Sequence, residues 1–162
     1  MSLLSPNHFH NDNELCKQSS VTLKCVSTGT VTIPVGAPNT QISIISLPLN
    51  ISALCNQIIK IEFVCNITLI QPQTDSILLM FQINRHCNKM IQNIPIGQRW
   101  IFSDISNFVS AGTFSFFVCD SDFNTEECCT YTVDVTPLVT TSGAIITNSI
   151  ISATAVSNVQ CS

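Results

Sequence analysis

The chain has 162 residues, 45% of them apolar and only 10% charged, with six Lys and Arg against ten Asp and Glu. That length suits one domain with a real hydrophobic core, since a chain of this size buries roughly 70% of the surface it exposes when unfolded. The charge is sparse and unclustered, which excludes an electrostatic footprint for nucleic acid or for an anionic membrane.

In chain order, the first twenty residues hold Pro6, His8, His10 and Cys16 with no sustained period, so they read as an extended connector arm, 1–20. From Val21 to the end, 21–162, the pattern changes to β-branched alternation broken by Pro, Gly and Asn. Strands are expected at 21–26, 30–35 and 41–49. The clearest follows at 58–70, where Ile59, Ile61, Phe63, Cys65, Ile67 and Leu69 share one face and Lys60, Glu62, Asn66 and Thr68 the other, which points Cys65 to the core. Next, "SILLMFQIN" (76–84) places Ile77, Leu79, Phe81 and Ile83 on one side. "RHCNKM" (85–90) then reads as a turn with Cys87 exposed at its tip, and "MIQNIPIG" (90–97) as the returning strand, followed by another at 99–103.

"SDISNFVSAG" (103–112) allows at most a helical turn. "TFSFFVC" (113–119) is apolar on both faces, as expected of a strand covered on two sides. In "CCTYTVDV" (128–135), Cys129, Tyr131, Val133 and Val135 form the inward set and Cys128, Thr130, Thr132 and Asp134 the outward one. A last strand is expected at 144–156. Nine or ten strands and no helix of any length define an all-β, jelly-roll-like β-sandwich, in which two antiparallel sheets each bury one alternating face. Cys55, Cys65, Cys119 and Cys129 are the candidates for core or intramolecular positions.

Little in the sequence serves catalysis. The three histidines fall in the arm and at the predicted turn, and no Walker, dinucleotide-binding or G-x-S-x-G pattern occurs, so no enzyme activity and no cofactor are expected. No C-x-x-C occurs either; His8, His10, Asp12 and Cys16 of the arm are the nearest approach to a ligand set, and no metal site is expected. "DSDFNTEE" (120–127) has Thr125 where a helical calcium loop needs Gly and Tyr131 where it needs a bidentate Glu, so it reads as a solvated hairpin loop. Asn50 and Asn66 satisfy the glycan acceptor rule, yet "MSLLSPNHFHNDNE" has neither the basic nor the apolar part of a secretory signal, and no uncharged apolar run reaches the ~18 residues of a span. A chain made in a reducing cytoplasm sits oddly with nine cysteines, an odd number that leaves at least one thiol free, metal-bound or joined to a neighbour. A surface so poor in charge fits a protein whose faces are covered in an assembly.

The runs "LKCVSTGTVTIPVG", "LCNQIIKIEFVCNI", "IPIGQRWIFS", "TFSFFVCDSDF" and "CCTYTVDV", spread over most of 22–156, resemble a family of small Cys-rich domains of unknown function found in spore-forming clostridia. In general design the chain is also similar to the pilin-like subunits of bacterial endospore appendages, jelly-roll proteins with a flexible N-terminal connector. That resemblance implies a self-assembling structural subunit of an extracellular fibre on the spore surface. It would be made in the mother-cell cytoplasm without a signal peptide, and its partners would be copies of itself in a head-to-tail helical fibre, with a spore-coat anchor a further candidate. It also implies sheets that pair laterally and disulfides from the connector to other subunits. Cys16 would reach a neighbour, with Cys25, Cys128 and Cys161 as acceptors. Those connectors often carry adjacent cysteines near the start, whereas this arm has Cys16 alone. The alternative reading is a monomeric carbohydrate-binding or adhesin-like module, which requires a concave aromatic surface from a chain with one Trp and one Tyr, Trp100 and Tyr131.

Overall fold

Alternation of apolar and polar residues in the sequence becomes alternation of burial in the computed structural model, which describes residues 21–36, 38–50, 57–70, 76–88, 90–104, 111–121, 128–141 and 143–157. Nine strands occur among them: β1 (Val21–Thr28), β2 (Val31–Ile33), β3 (Ile42–Asn50), β4 (Gln57–Leu69), β5 (Ile77–Cys87), β6 (Ile94–Asp104), β7 (Ala111–Asp120), β8 (Cys128–Thr140) and β9 (Ala144–Ser157). The connector arm, Cys16, Cys55 and Cys161 lie outside the described residues, as do most of 103–112 and of the 120–127 loop.

The strands form two antiparallel sheets packed face to face. The first has the order β1-β9-β4-β7, with β2 pairing β9 beyond the end of β1; the second has the order β3-β8-β5-β6. With β2 taken as a short extension, each sheet contributes four strands and the chain crosses repeatedly between them, which is the jelly-roll arrangement. Between the sheets lies one core of Ile, Leu, Val and Phe side chains. At its centre Phe63, Phe81 and Phe116 pack with ring centroids 5.4–6.3 Å apart, and Trp100 of β6 stacks on Phe116 at 5.3 Å. Such offset and tilted contacts suit the ring quadrupoles and add to the area they bury.

Bulges interrupt several strands, and the one in β9 redirects its alternation. Between Val64 and Asn66 the β4–β9 register shifts, and Asn148 of β9 takes a positive φ of 51°. Ala144 and Ile146 face the core before this bulge; Ile151, Ala153 and Ala155 do so after it, so the inward parity switches from even to odd. In β6, Gly97 has φ +68° and a Cβ there would meet Val118 Cγ1 at 2.8 Å. Gly97→Ala is therefore expected to lower stability by about 1–3 kcal/mol, from the left-handed backbone and the forced shift of Val118, measured as a lower urea midpoint.

The structure corrects several expectations. β5 runs on past Asn84, so Arg85 and Cys87 continue the inward parity of Leu79, Phe81 and Ile83, and Cys87 is a buried strand residue rather than an exposed turn residue. The turn follows it, with Met90 N–H donating to the Cys87 carbonyl at 2.8 Å. The stretches 90–97 and 99–103 are one strand, β6, beginning at Ile94 and passing a bulge opposite Phe81 and Ile83. Strand β7 is covered on one face only: Phe116 and Val118 are buried in the core between the sheets, whereas Phe117 and Cys119 are exposed because they lie on the outer face of the first sheet, away from the second. Asp134, expected in the solvated set, is buried on the outer side of β8, where it accepts hydrogen bonds from Gln41 and from Asn84, the latter at 2.7 Å.

Candidate functional site

The described cysteines divide into two groups. Cys129 looks inward and Cys128 outward, as alternate strand residues must. Cys129 stands directly opposite Cys87 in the β5–β8 ladder and is disulfide-bonded to it, with Cα atoms 4.0 Å apart. Cys65 is a buried free thiol of β4, and burial pushes its pKa from 9.0 up to about 12. Cys25, Cys119 and Cys128 are free and exposed. Cys119, a candidate for the core, thus belongs with the outward thiols, since it has the parity of Phe117 rather than of Val118.

A buried polar cluster sits beside the disulfide. The Nη1 of Arg85 (β5) donates to both carboxylate oxygens of Asp120 (β7) at 2.8 Å, and the Tyr131 (β8) hydroxyl donates to Asp120 Oδ2 at 2.9 Å. All three side chains are buried, so the cluster ties the two sheets together by one charge-assisted network. Asp120 is accordingly a core residue and no part of a solvated loop. Burial, reinforced by the Asp120 charge, drives the Tyr131 pKa upward. Because Cys65 and Tyr131 hold their protons more tightly folded than unfolded, their contribution is fully present below pH 9 and is lost as pH rises toward 12. The unfolding free energy is expected to fall across that range by up to about 1.4 kcal/mol per pH unit for each group, read as a falling urea midpoint. In the native reduced protein iodoacetamide should modify Cys25, Cys119 and Cys128 readily and Cys65 only after unfolding, read by peptide mass spectrometry.

The exposed thiols direct attention to the outer face of the first sheet. Cross-strand registers give two rows of outward residues, Cys25–Ser152–Glu62–Phe117 and Leu23–Thr154–Lys60–Cys119. Cys25 and Cys119 therefore share one face, at opposite edges. Val21, Leu23, Ile58, Phe117, Ile150 and Val156 are exposed, and the registers place them on this same face. Its charged pair is Lys60–Glu62 at 2.7 Å, with the Lys60 ammonium 5.2 Å from the Phe117 ring centroid. A half-open cavity of about 490 Å³ is lined by Glu62, Val64, Trp100, Ser115, Phe117 and Ile150. No group of three or more His, Cys, Asp or Glu able to hold a metal occurs among the described residues.

The fold and this surface define a jelly-roll domain with an apolar, thiol-bearing outer sheet. The chain belongs to the family described as a domain of unknown function (DUF4489), whose model matches residues 19–156. Comparison with curated proteins gives no match. Among solved structures, the chain is similar to a protein of infectious bursal disease virus Gx strain (8% identity, TM-score 0.44, 86% of this chain and 36% of that one). It is also similar to the CBM22-1 xylan-binding domain of Paenibacillus barcinonensis Xyn10C (8% identity, TM-score 0.37, 84% and 85%). A third is dimeric latent PorU of Porphyromonas gingivalis (10% identity, TM-score 0.38, 85% and 12%). This chain thus spans about a third of the viral chain and an eighth of PorU.

Proposed function

We propose that the protein is a self-assembling structural subunit of a disulfide-crosslinked extracellular fibre of the spore-appendage type, its partners being further copies of itself. The observation that carries this reading is the outer face of the first sheet, where exposed apolar side chains and two exposed free thiols occur together. A monomer gains nothing from that arrangement, because exposed strand edges and apolar surface invite association. A head-to-tail contact that does not close into a ring propagates as a helix, and disulfides then make each step irreversible. In this reading residues 1–20 form a connector that reaches a neighbour through Cys16, and Cys25, Cys128 and Cys161 are its acceptors. The fibre lies on the spore surface and needs no enzymatic activity or cofactor.

Air-oxidised full-length protein boiled in detergent without reductant should run as a ladder that collapses to monomer on adding dithiothreitol; a monomer band in both lanes removes covalent assembly. Deleting residues 1–20 should leave a folded domain that assembles weakly, and long robust filaments from the truncated chain would count against the connector. The cavity beside Phe117 supports a second reading, a carbohydrate-binding module. Tyr131 is buried and Trp100 is half-buried against Phe116, so of the described aromatic residues Phe117 is the one that is exposed. Glycan binding by a sample that does not polymerise would establish that reading instead.

A further inference from the structure

We infer that successive copies join through the two edges of the first sheet, β7 of one copy pairing antiparallel with β1 of the next, and that a Cys119–Cys25 disulfide locks the joint. This rests on the assembly reading above and specifies its contact; it commits Cys25 to Cys119 and leaves Cys128 and Cys161 as the acceptors for Cys16.

Three observations lead there. The edges of the second sheet carry proline, Pro48 in β3 and Pro95 in β6, each of which removes a ladder donor, whereas β1 and β7 have none. The first sheet has four long strands, each antiparallel to its neighbours, so β1 and β7 run in opposite directions. A second copy placed beside the first in the same orientation therefore presents β1 antiparallel to β7 and continues the sheet with its outer face still outward. An odd number of strands would present a parallel edge instead. Finally, each of these edges carries an exposed free cysteine on that shared outer face.

The registers fix the offset. Within one molecule Cys119 shares a row with Leu23, and Cys25 shares the next row with Phe117. Setting Cys119 opposite the next copy's Cys25 slides that copy by two residues, about 7 Å, over a lateral step of about 19 Å for four strands. Val118 then faces Val26 on the inner side, and Phe117 faces Ser27 on the outer. Directly opposed residues of antiparallel strands have Cα atoms roughly 4.5–5.5 Å apart, within disulfide range, and Cys87–Cys129 is already such a cross-strand bond in this protein. Stagger and strand twist together turn the stack into a helix. The bond forms as two thiols lose two protons and two electrons to dioxygen, giving one disulfide and hydrogen peroxide.

The test is disulfide mapping by mass spectrometry on air-oxidised full-length protein, with an equal mixture of ¹⁵N-labelled and unlabelled chains to mark intermolecular bonds, beside electron microscopy of the same sample. The expected result is a mixed-isotope peptide joining Cys25 to Cys119. Cys25→Ser and Cys119→Ser should each abolish it, and mixing the two variants should restore that peptide, joining Cys119 of the first variant to Cys25 of the second. Leu23→Lys with Phe117→Lys, both at exposed positions, should reduce the yield of that peptide at least tenfold. Filaments crosslinked through other cysteines with no Cys25–Cys119 peptide would overturn this contact and leave the assembly reading standing. Absence of any polymer would overturn both.

Discussion

Asp120→Ala should lower stability by about 3–5 kcal/mol, because it strands the buried Arg85 guanidinium without its carboxylate and removes the acceptor of the Tyr131 hydroxyl. For a chain of this length that is roughly a 6–20 °C fall in melting temperature, measurable by scanning calorimetry. Tyr131→Phe deletes one hydrogen bond and keeps the ring, so about 1–2 kcal/mol is expected. The contrast between the two variants is informative. If both cost the same small amount, the cluster is not the tie between the sheets that its geometry indicates. Asp120 also ends β7, one residue beyond Cys119, so the network that joins the two sheets also holds this end of the proposed joining edge in place.

Loss of the Cys87–Cys129 disulfide is expected to have an effect of similar size. The bond closes a loop of 42 residues in sequence separation, and the chain-entropy relation gives about 4 kcal/mol for such a loop. The Cys87→Ala/Cys129→Ala double variant should therefore melt roughly 8–16 °C lower than the oxidised parent. Reduction of the parent should shift its melting temperature in the same direction, and reduction of the double variant should not. An unchanged melting temperature in the double variant would mean that the unfolded chain is already as restricted without the bond.

The sandwich class is legible in the sequence because most strands keep a strict alternation over their full length. Strand β4 alternates through Leu69, and parity alone sorts the adjacent Cys128 and Cys129 to opposite faces. Sequence and structure part where a polar residue sits at an inward position. Arg85 extends the inward series of β5, but an arginine next to His and Cys has the composition of a turn, which hides the end of the strand and the burial of Cys87. Asp120 likewise extends the inward series Phe116 and Val118. Each of these charges is buried only because the other is there, and that pairing across 35 residues is long-range information that no local period carries. The outward Phe117 and Cys119 mislead for the opposite reason: they are apolar, yet they stand exposed on the outer face of the sheet. In β9 the parity switch at Asn148 is signalled by an Asn inside a β-branched run, a residue that tolerates positive φ.

The site is legible as an inventory of cysteines and not as an arrangement. That Cys25 and Cys119 share a face follows from the strand order β1-β9-β4-β7, which periodicity does not encode. The same order distinguishes edges from interior strands, and hence the surfaces that remain open to a neighbour.

The most direct test of self-assembly is negative-stain electron microscopy of the purified full-length chain, concentrated and exposed to air. Long helical filaments that survive boiling in detergent until a reductant is added are expected. Single well-dispersed particles at every concentration, with their surface thiols still free, would contradict it.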